Sequence, residues 1–185
     1  AAGLDPARAE ATMAGVNHNC WSTEHLVDGQ DVMPLLDAAW AERKDDPALG
    51  TFEKRMLRLA VAMRSLPADY FQYYYYKEEV LRELQGARTT RAEDLLAALP
   101  GYWEHYAEQA DAAVPDLDPA RSRGGIHELE LAIDVMSAFY NDTGARLPVN
   151  LPNTGGALPG FDDDVVVEMW CTVDATGVHP EQQRP

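Results

Sequence analysis

Gly15-Val16-Asn17-His18-Asn19-Cys20-Trp21 is the stretch on which the reading of the chain turns. The apolar run from Met13 to Val16 predicts a buried strand, and the Asn-His pair that ends it delivers an imidazole to the rim of a cleft. A histidine at a strand end is more often a hydrogen-bonded structural residue than a metal ligand. Its role therefore depends on what the rest of the chain carries.

Composition narrows the field. With 185 residues, 46% hydrophobic and 25% charged, the chain is long enough for one ordinary core and reads as one domain. Thirty-one acids against 15 Lys and Arg give a net charge of −16. That balance argues against nucleic-acid partners, because phosphate recognition needs clustered cations. No stretch approaches the roughly 20 apolar residues of a membrane span, and the start of the sequence lacks a signal-peptide pattern. A cytoplasmic protein is the expectation. Cys20 and Cys171 lie beside Trp21 and Trp170, where a buried, inert thiol is expected rather than a disulfide or zinc knot. A Cys20/His18 metal pair is the minor alternative.

Along the chain, Leu4-Asp5-Pro6-Ala7-Arg8 reads as a helix start, and the same five letters recur at 117–121. Asp28-Gly29 between short apolar runs signals a hairpin. A helix is expected over 33–40, with Leu35, Leu36 and Ala39 on one face. The charged segment 44–50 reads as a surface loop, with Thr51 capping the next helix. That helix, over 52–66, should bury Phe52, Met56, Leu57, Leu59, Ala60 and Met63. Lys54, Arg55, Arg58 and Arg64 form a basic stripe, read as a solvated face or as one turned to an anionic ligand. Five of the eight tyrosines lie between Tyr70 and Tyr76, straddling a helix start after Pro67.

Thr90 and Glu93 have capping-box spacing, which puts Arg91 in the first turn of a helix and makes an anion beside it a reasonable expectation. That helix should stop near Leu99, break at Pro100-Gly101 and resume over 102–113. Residues 121–125 read as a hinge. A strong helix over 127–140 should follow, with His127 structural near its start and Leu129, Ile133, Met136 and Phe139 or Tyr140 buried. Strands are expected over 147–151 and 165–173, and Asp162 to Asp164 read as a solvated acidic turn.

Several of these phrases together carry a resemblance. Gly15-Val-Asn-His18-x-x-Trp21, Asp28-Gly-x-Asp31-Val, Asp69-Tyr-Phe-x-Tyr-Tyr74, Arg123-Gly-Gly125, Tyr140-Asn-Asp142, Val149-Asn-x-Pro-Asn153 and Asp163-Asp-x-Val-Val-Glu168 occur in order from about Leu4 to Pro180. The set resembles the carboxyl-terminal catalytic region of the family 4 glycoside hydrolases, NAD-dependent and metal-dependent 6-phospho-glycosidases, which depart from the usual two-carboxylate mechanism. The resemblance implies an α+β, mainly helical domain like the carboxyl-terminal domain of lactate-dehydrogenase-like enzymes.

In that family, NAD⁺ takes a hydride from sugar C3, a base removes the acidified C2 proton, the glycosidic oxygen leaves, water adds and the hydride returns. A divalent metal, usually manganese, stabilises the charge as a Lewis acid. Matched residue by residue, the resemblance makes His18 the metal-binding histidine and Tyr70 the proton-abstracting tyrosine. Arg91 becomes the substrate-binding arginine, with Arg88 as its substitute because the spacing from Tyr70 is one residue longer than the pattern. Asn17 is assigned a supporting role. A phenol, with a reference pKa of about 10, needs the metal's charge to act as a base.

The departures matter equally. No Gly-x-Gly-x-x-Gly follows a strand, and neither the family's metal-binding cysteine nor its adjacent acid is matched here. Residues 1–185 are thus expected to be a carboxyl-terminal domain fragment without its Rossmann domain, unable alone to hold NAD or turn over substrate. The implied parent is a 6-phospho-β-glucosidase-like enzyme, expected as a homo-oligomer. The alternatives are an α-glycosidase or unphosphorylated, α-galactosidase-like member, and a non-catalytic scaffold or oligomerisation module.

Overall fold

A computed structural model of the chain describes residues 5, 8–122 and 126–183. The helix start read at 4–8, the Arg123-Gly124-Gly125 hinge, and the side chains of His127 and Leu129 lie wholly or partly outside the described residues. The chain divides into two compact units, residues 1–77 with 138–185, and residues 78–137. The architecture is α+β, as expected.

In the first unit, β1 (Ala9–Val16) and β2 (Asn19–Val27) pair antiparallel from Ala9 opposite Val27 to Val16 opposite Asn19. A strand thus follows residue 8 directly, where a helix was expected. β3 (Gln30–Asp31) pairs with β2 through a turn in which Asp28 and Gly29 both have positive φ, 52° and 74°. Those values suit a two-residue hairpin of the kind Asp-Gly favours. The sheet continues through β5 (Val166–Asp174) to β4 (Ala145–Pro152), in the order β3-β2-β1-β5-β4, and a short β6 (Gly177–Pro180) also pairs with β5. Alternate residues of β5, Val167, Met169, Cys171 and Val173, are completely buried, the period of two expected for a strand with one covered face. Ala14, Ala157 and Leu158 close over Val167, Met169 and Cys171 to form one core cluster.

A second cluster joins the hairpin to two helices, α1 (Met33–Arg43) and α2 (Thr51–Met63), through Val27, Val32, Met33, Leu36, Leu49, Leu57 and Ala60. In α1 the buried pair is Met33 and Leu36, while Leu35 is exposed. The three-residue spacing of the former pair is the one a helix stacks on a single face. Helix α2 begins one residue earlier than expected, so Gly50 rather than Thr51 occupies the cap position. Met63 is exposed, and Arg55 is buried. The basic stripe is therefore not one solvated face. Arg55 donates to Gln72 Oε1 at 3.4 Å, Arg58 lies 5.8 Å from the Tyr76 ring centroid, and Arg64 pairs with Asp37 at 2.7 Å.

A 3-10 turn (Asp69–Phe71) leads into the short α3 (Gln72–Tyr75) and then α4 (Lys77–Gly86). Helix α5 runs unbroken from Arg91 to Ala110 with Pro100 inside it, where a break was expected. Proline's fixed φ is helical, so the loss is one hydrogen bond and local crowding, costing about 3 kcal/mol. The turns on either side carry the helix through. Its start is the expected capping box, with the Thr90 side chain accepting from Glu93 N–H and the Glu93 side chain accepting from Thr90 N–H. At 117–121 the repeated phrase forms only a 3-10 turn (Pro119–Arg121), capped by Asp118. Helix α6 (Ile126–Asn141) forms as expected but its expected stripe is not covered: Ile133, Met136, Phe139 and Tyr140 are more than half exposed, and Ala138 is the one buried residue among its described side chains. Periodicity identifies which residues share a face, not which face is covered.

Candidate functional site

The β1–β2 turn consists of Asn17 and His18 alone. His18 has φ 65°, a left-handed conformation that His, Asn and Asp enter more readily than most residues. At Gly15 a Cβ would lie 2.3 Å from the Asn19 carbonyl oxygen, so only glycine lets the strands close this tightly before the turn. The result is an exposed imidazole at the hairpin tip. The strand ends at Val16, just before the Asn-His pair, as the sequence suggested, and the chain then reverses into β2. Asn17, between two strand-forming runs, was the available hairpin signal.

Beside that tip lies the segment that leads to the tyrosines. Ser22 N–H donates to the Leu66 carbonyl at 2.9 Å and Ala68 N–H to the Cys20 carbonyl at 3.0 Å. Between these bonds Trp21 faces Pro67 in an antiparallel bridge. At such a position the residue's own N–H points away from the partner strand, so proline is tolerated. Residues 66–68 thus act as a strap along the edge of β2. Tyr70 emerges two residues later with its ring centroid 4.5 Å from that of His18 and the two planes 32° apart. Trp21 stacks on Phe71 at 4.4 Å, fixing the other face of the same 3-10 turn. Tyr70 and Tyr73 are exposed, 5.9 Å apart, and only Phe71 of this group is buried.

Cys20 points inward. Its thiol donates to the Val16 carbonyl at 3.3 Å, and burial, reinforced by the charge of Glu168, pushes it up to about 11. Burial and then Glu181 do the same to Cys171, also to about 11. Both thiols are protonated at neutral pH, as the sequence reading expected. The Cys20/His18 metal pair is ruled out by that inward geometry. Among the described residues no group of three or more His, Cys, Asp and Glu side chains is arranged to hold a metal. His18 presents an exposed imidazole beside a phenol, so it fits a single ligand of a cation whose other ligands come from elsewhere.

Arg91 is the first residue of α5 in the second unit, and Arg88 lies just before it; both are exposed. Neither has an ion-pair partner among the described residues. Asn17 is exposed at the hairpin tip. Asn153, at the end of Val149-Asn-x-Pro-Asn153, is completely buried. Its side chain accepts from Leu158 N–H and donates to the Leu158 and Phe161 carbonyls, so it shapes a loop. No helix among the described residues is long and apolar enough to cross a membrane.

Residues 13–185 match the model of the family 4 glycosyl hydrolase C-terminal domain. A probable 6-phospho-β-glucosidase of Bacillus subtilis is 29% identical over 185 residues, which cover 96% of this chain and 40% of that protein. The 6-phospho-α-glucosidase 1 of Lacticaseibacillus paracasei is 28% identical over 177 residues, 88% of this chain and 38% of its own length. The chain therefore spans about 40% of the length of such relatives. Among solved structures, a 6-phospho-α-glucosidase from gut microorganisms, in complex with NAD and Mn²⁺, superposes with a TM-score of 0.70 at 20% identity, covering 98% of this chain and 43% of that one. The 6-phospho-β-glucosidase of Thermotoga maritima, with manganese, NAD⁺ and glucose-6-phosphate, gives 0.66 at 20% identity, covering 95% of this chain and 39% of that one. At these identities the structures establish a shared fold.

Proposed function

This chain belongs to family 4 of the glycosyl hydrolases, as its C-terminal domain, and we propose that it supplies the cation-holding and proton-moving part of a 6-phospho-glucosidase active site. The observation that carries the proposal is the contact between His18 and Tyr70, brought to 4.5 Å from positions 52 apart by a hairpin tip and a strap. In this reading a nitrogen of the His18 ring holds a divalent cation. A divalent cation bound there would supply Lewis acidity. Tyr70 Oη takes a proton from a carbon of the bound sugar as a positioned base. Arg91 binds the substrate's phosphate as a guanidinium clamp, with Arg88 as the substitute.

The described residues offer no glycine-rich turn between a strand and a helix to cradle a dinucleotide. NAD therefore belongs, in this proposal, to a nucleotide-binding domain outside residues 1–185, and the whole protein assembles as a homo-oligomer. The β configuration follows the Bacillus subtilis relative, and the Lacticaseibacillus paracasei relative supports an α-specific reading.

The test uses the whole protein that carries this chain, assayed with NAD and Mn²⁺ on the α and β nitrophenyl glucosides, each with and without a 6-phosphate. Tyr70→Phe is expected to lower kcat by about 10²–10⁴-fold, the usual contribution of a positioned base. His18→Ala is expected to abolish the response to added Mn²⁺. Full activity in Tyr70→Phe together with an unchanged metal response in His18→Ala would leave the domain a scaffold.

A further inference from the structure

The strap at Leu66 to Ala68 leads directly to Tyr70, and its upper rung is not a backbone rung. Opposite Ser22, a regular antiparallel ladder would exchange two backbone bonds with Leu66. Only one is present, from Ser22 N–H to the Leu66 carbonyl. Leu66 N–H instead donates to Ser22 Oγ at 2.7 Å, and the Ser22 carbonyl accepts from Ser65 Oγ at 2.9 Å. Two hydroxyls thus replace one peptide rung. Because Pro67 has no N–H, the strap has no donor of its own between Leu66 and Ala68. On the Leu66 side of Pro67 the strap is held by two bonds, the Leu66 carbonyl accepting from Ser22 N–H and Leu66 N–H donating to Ser22 Oγ.

Ser22 is buried, and its hydroxyl also lies 2.9 Å from His25 Nδ1 and 3.1 Å from Ser65 Oγ. His25 Nε2 is 3.5 Å from Asp31 Oδ1, the oxygen that accepts from Met33 N–H at the start of α1. Serine, histidine and aspartate are the residue types of a hydrolytic triad. Here the serine oxygen is enclosed and already accepts from a backbone amide, so it is not a nucleophile. Its connections run instead from the beginning of α1, through His25, to the strap that ends at Tyr70.

We propose that Ser22 is a positioning residue: with Ser65 it clasps the strap to β2 and so sets the approach of Tyr70 to His18. The proposal rests on the catalytic reading of that pair for its importance, though not for its test. In the full chain, Ser22→Ala is expected to speed hydrogen exchange of the Leu66 amide about tenfold, the loss of one net hydrogen bond. It should also remove the nuclear Overhauser contacts between the His18 and Tyr70 rings, while the amides that pair β1 with β2 keep their protection. Ser22→Thr, a hydroxyl on a β-branched residue suited to a strand, is expected to restore both signals. Ser65→Ala removes the other half of the clasp and should weaken the ring contacts to a smaller extent; it carries the test alone if Ser22→Ala does not fold. Ring contacts unchanged in every variant that folds would overturn the proposal. None of these signals requires metal, NAD or turnover. The catalytic reading can therefore fail in the whole-protein assay while the clasp stands, and the clasp can fail while the assay succeeds.

Discussion

In the first unit every second residue of β5 from Val167 to Val173 is completely buried, and the strap at Leu66 to Ala68 that leads to Tyr70 is tied to β2 by backbone and hydroxyl bonds. In the second unit, among the described residues, only Val80 and His105 are buried. Its helices are specified instead by local signals, such as the Thr90–Glu93 capping box and the acids Glu93 and Asp94 in the first turn of α5, where negative charge complements the helix dipole. The contrast teaches that the two regions bearing candidate site residues are held by different physics. Tyr70 is placed by contacts with residues far away in sequence, whereas the start of the helix that carries Arg91 is placed by its immediate neighbours.

Three experiments sharpen or break that contrast. The largest effect is expected in the first unit: Met169→Ala, at a position with no exposure, should cost about 3 kcal/mol through lost transfer energy and the cavity left behind. Chemical denaturation followed by tryptophan fluorescence measures it, and a loss below about 1 kcal/mol would mean that packing does not dominate there. In the second unit, Thr90→Ala should cost about 1 kcal/mol, the usual worth of a helix cap. Amide exchange over the first turn of α5 reads this, and an effect as large as that at Met169 would erase the distinction.

The smallest effect concerns the exposed β5–β6 turn. Asp174 accepts from the Thr176 hydroxyl and amide and then from the His179 ring, which together lower its carboxyl to about 2. A depressed folded-state value means that the stabilisation is present above the ordinary carboxylate range, near about 4, and is lost as pH falls from there towards 2. A carboxyl-carbon NMR titration should give that low midpoint. An ordinary value near about 4 would show that the turn's hydrogen bonds do not persist in solution.

Much of this arrangement could be read in advance, for reasons that differ by residue. The Asp28-Gly29 turn and the Thr90–Glu93 box were legible because each is a local phrase with one dominant conformation. Cys20 and Cys171 were legible as inert because their tryptophan neighbours mark apolar surroundings. Pro100 misled because a single unfavourable residue was allowed to outweigh the turns on both sides of it. The exposed face of α6 and the buried guanidinium of Arg55 were misread because periodicity describes one helix, while burial depends on what covers it. Ser22 gave no signal, since a serine beside a tryptophan in a strand has no distinctive pattern.

The order of motifs along the chain, by itself, fixed the family, the α+β class and the identities of the imidazole, phenol and guanidinium to consider, because residue types and their spacing are written in one dimension. The tertiary structure alone decided that His18 stands on a two-residue turn, that a strap replaces a ladder rung with serine hydroxyls, and that Tyr70 meets His18. Those facts concern contacts across dozens of residues, and such contacts are chosen by how strand edges are satisfied and apolar faces covered, which no local pattern encodes.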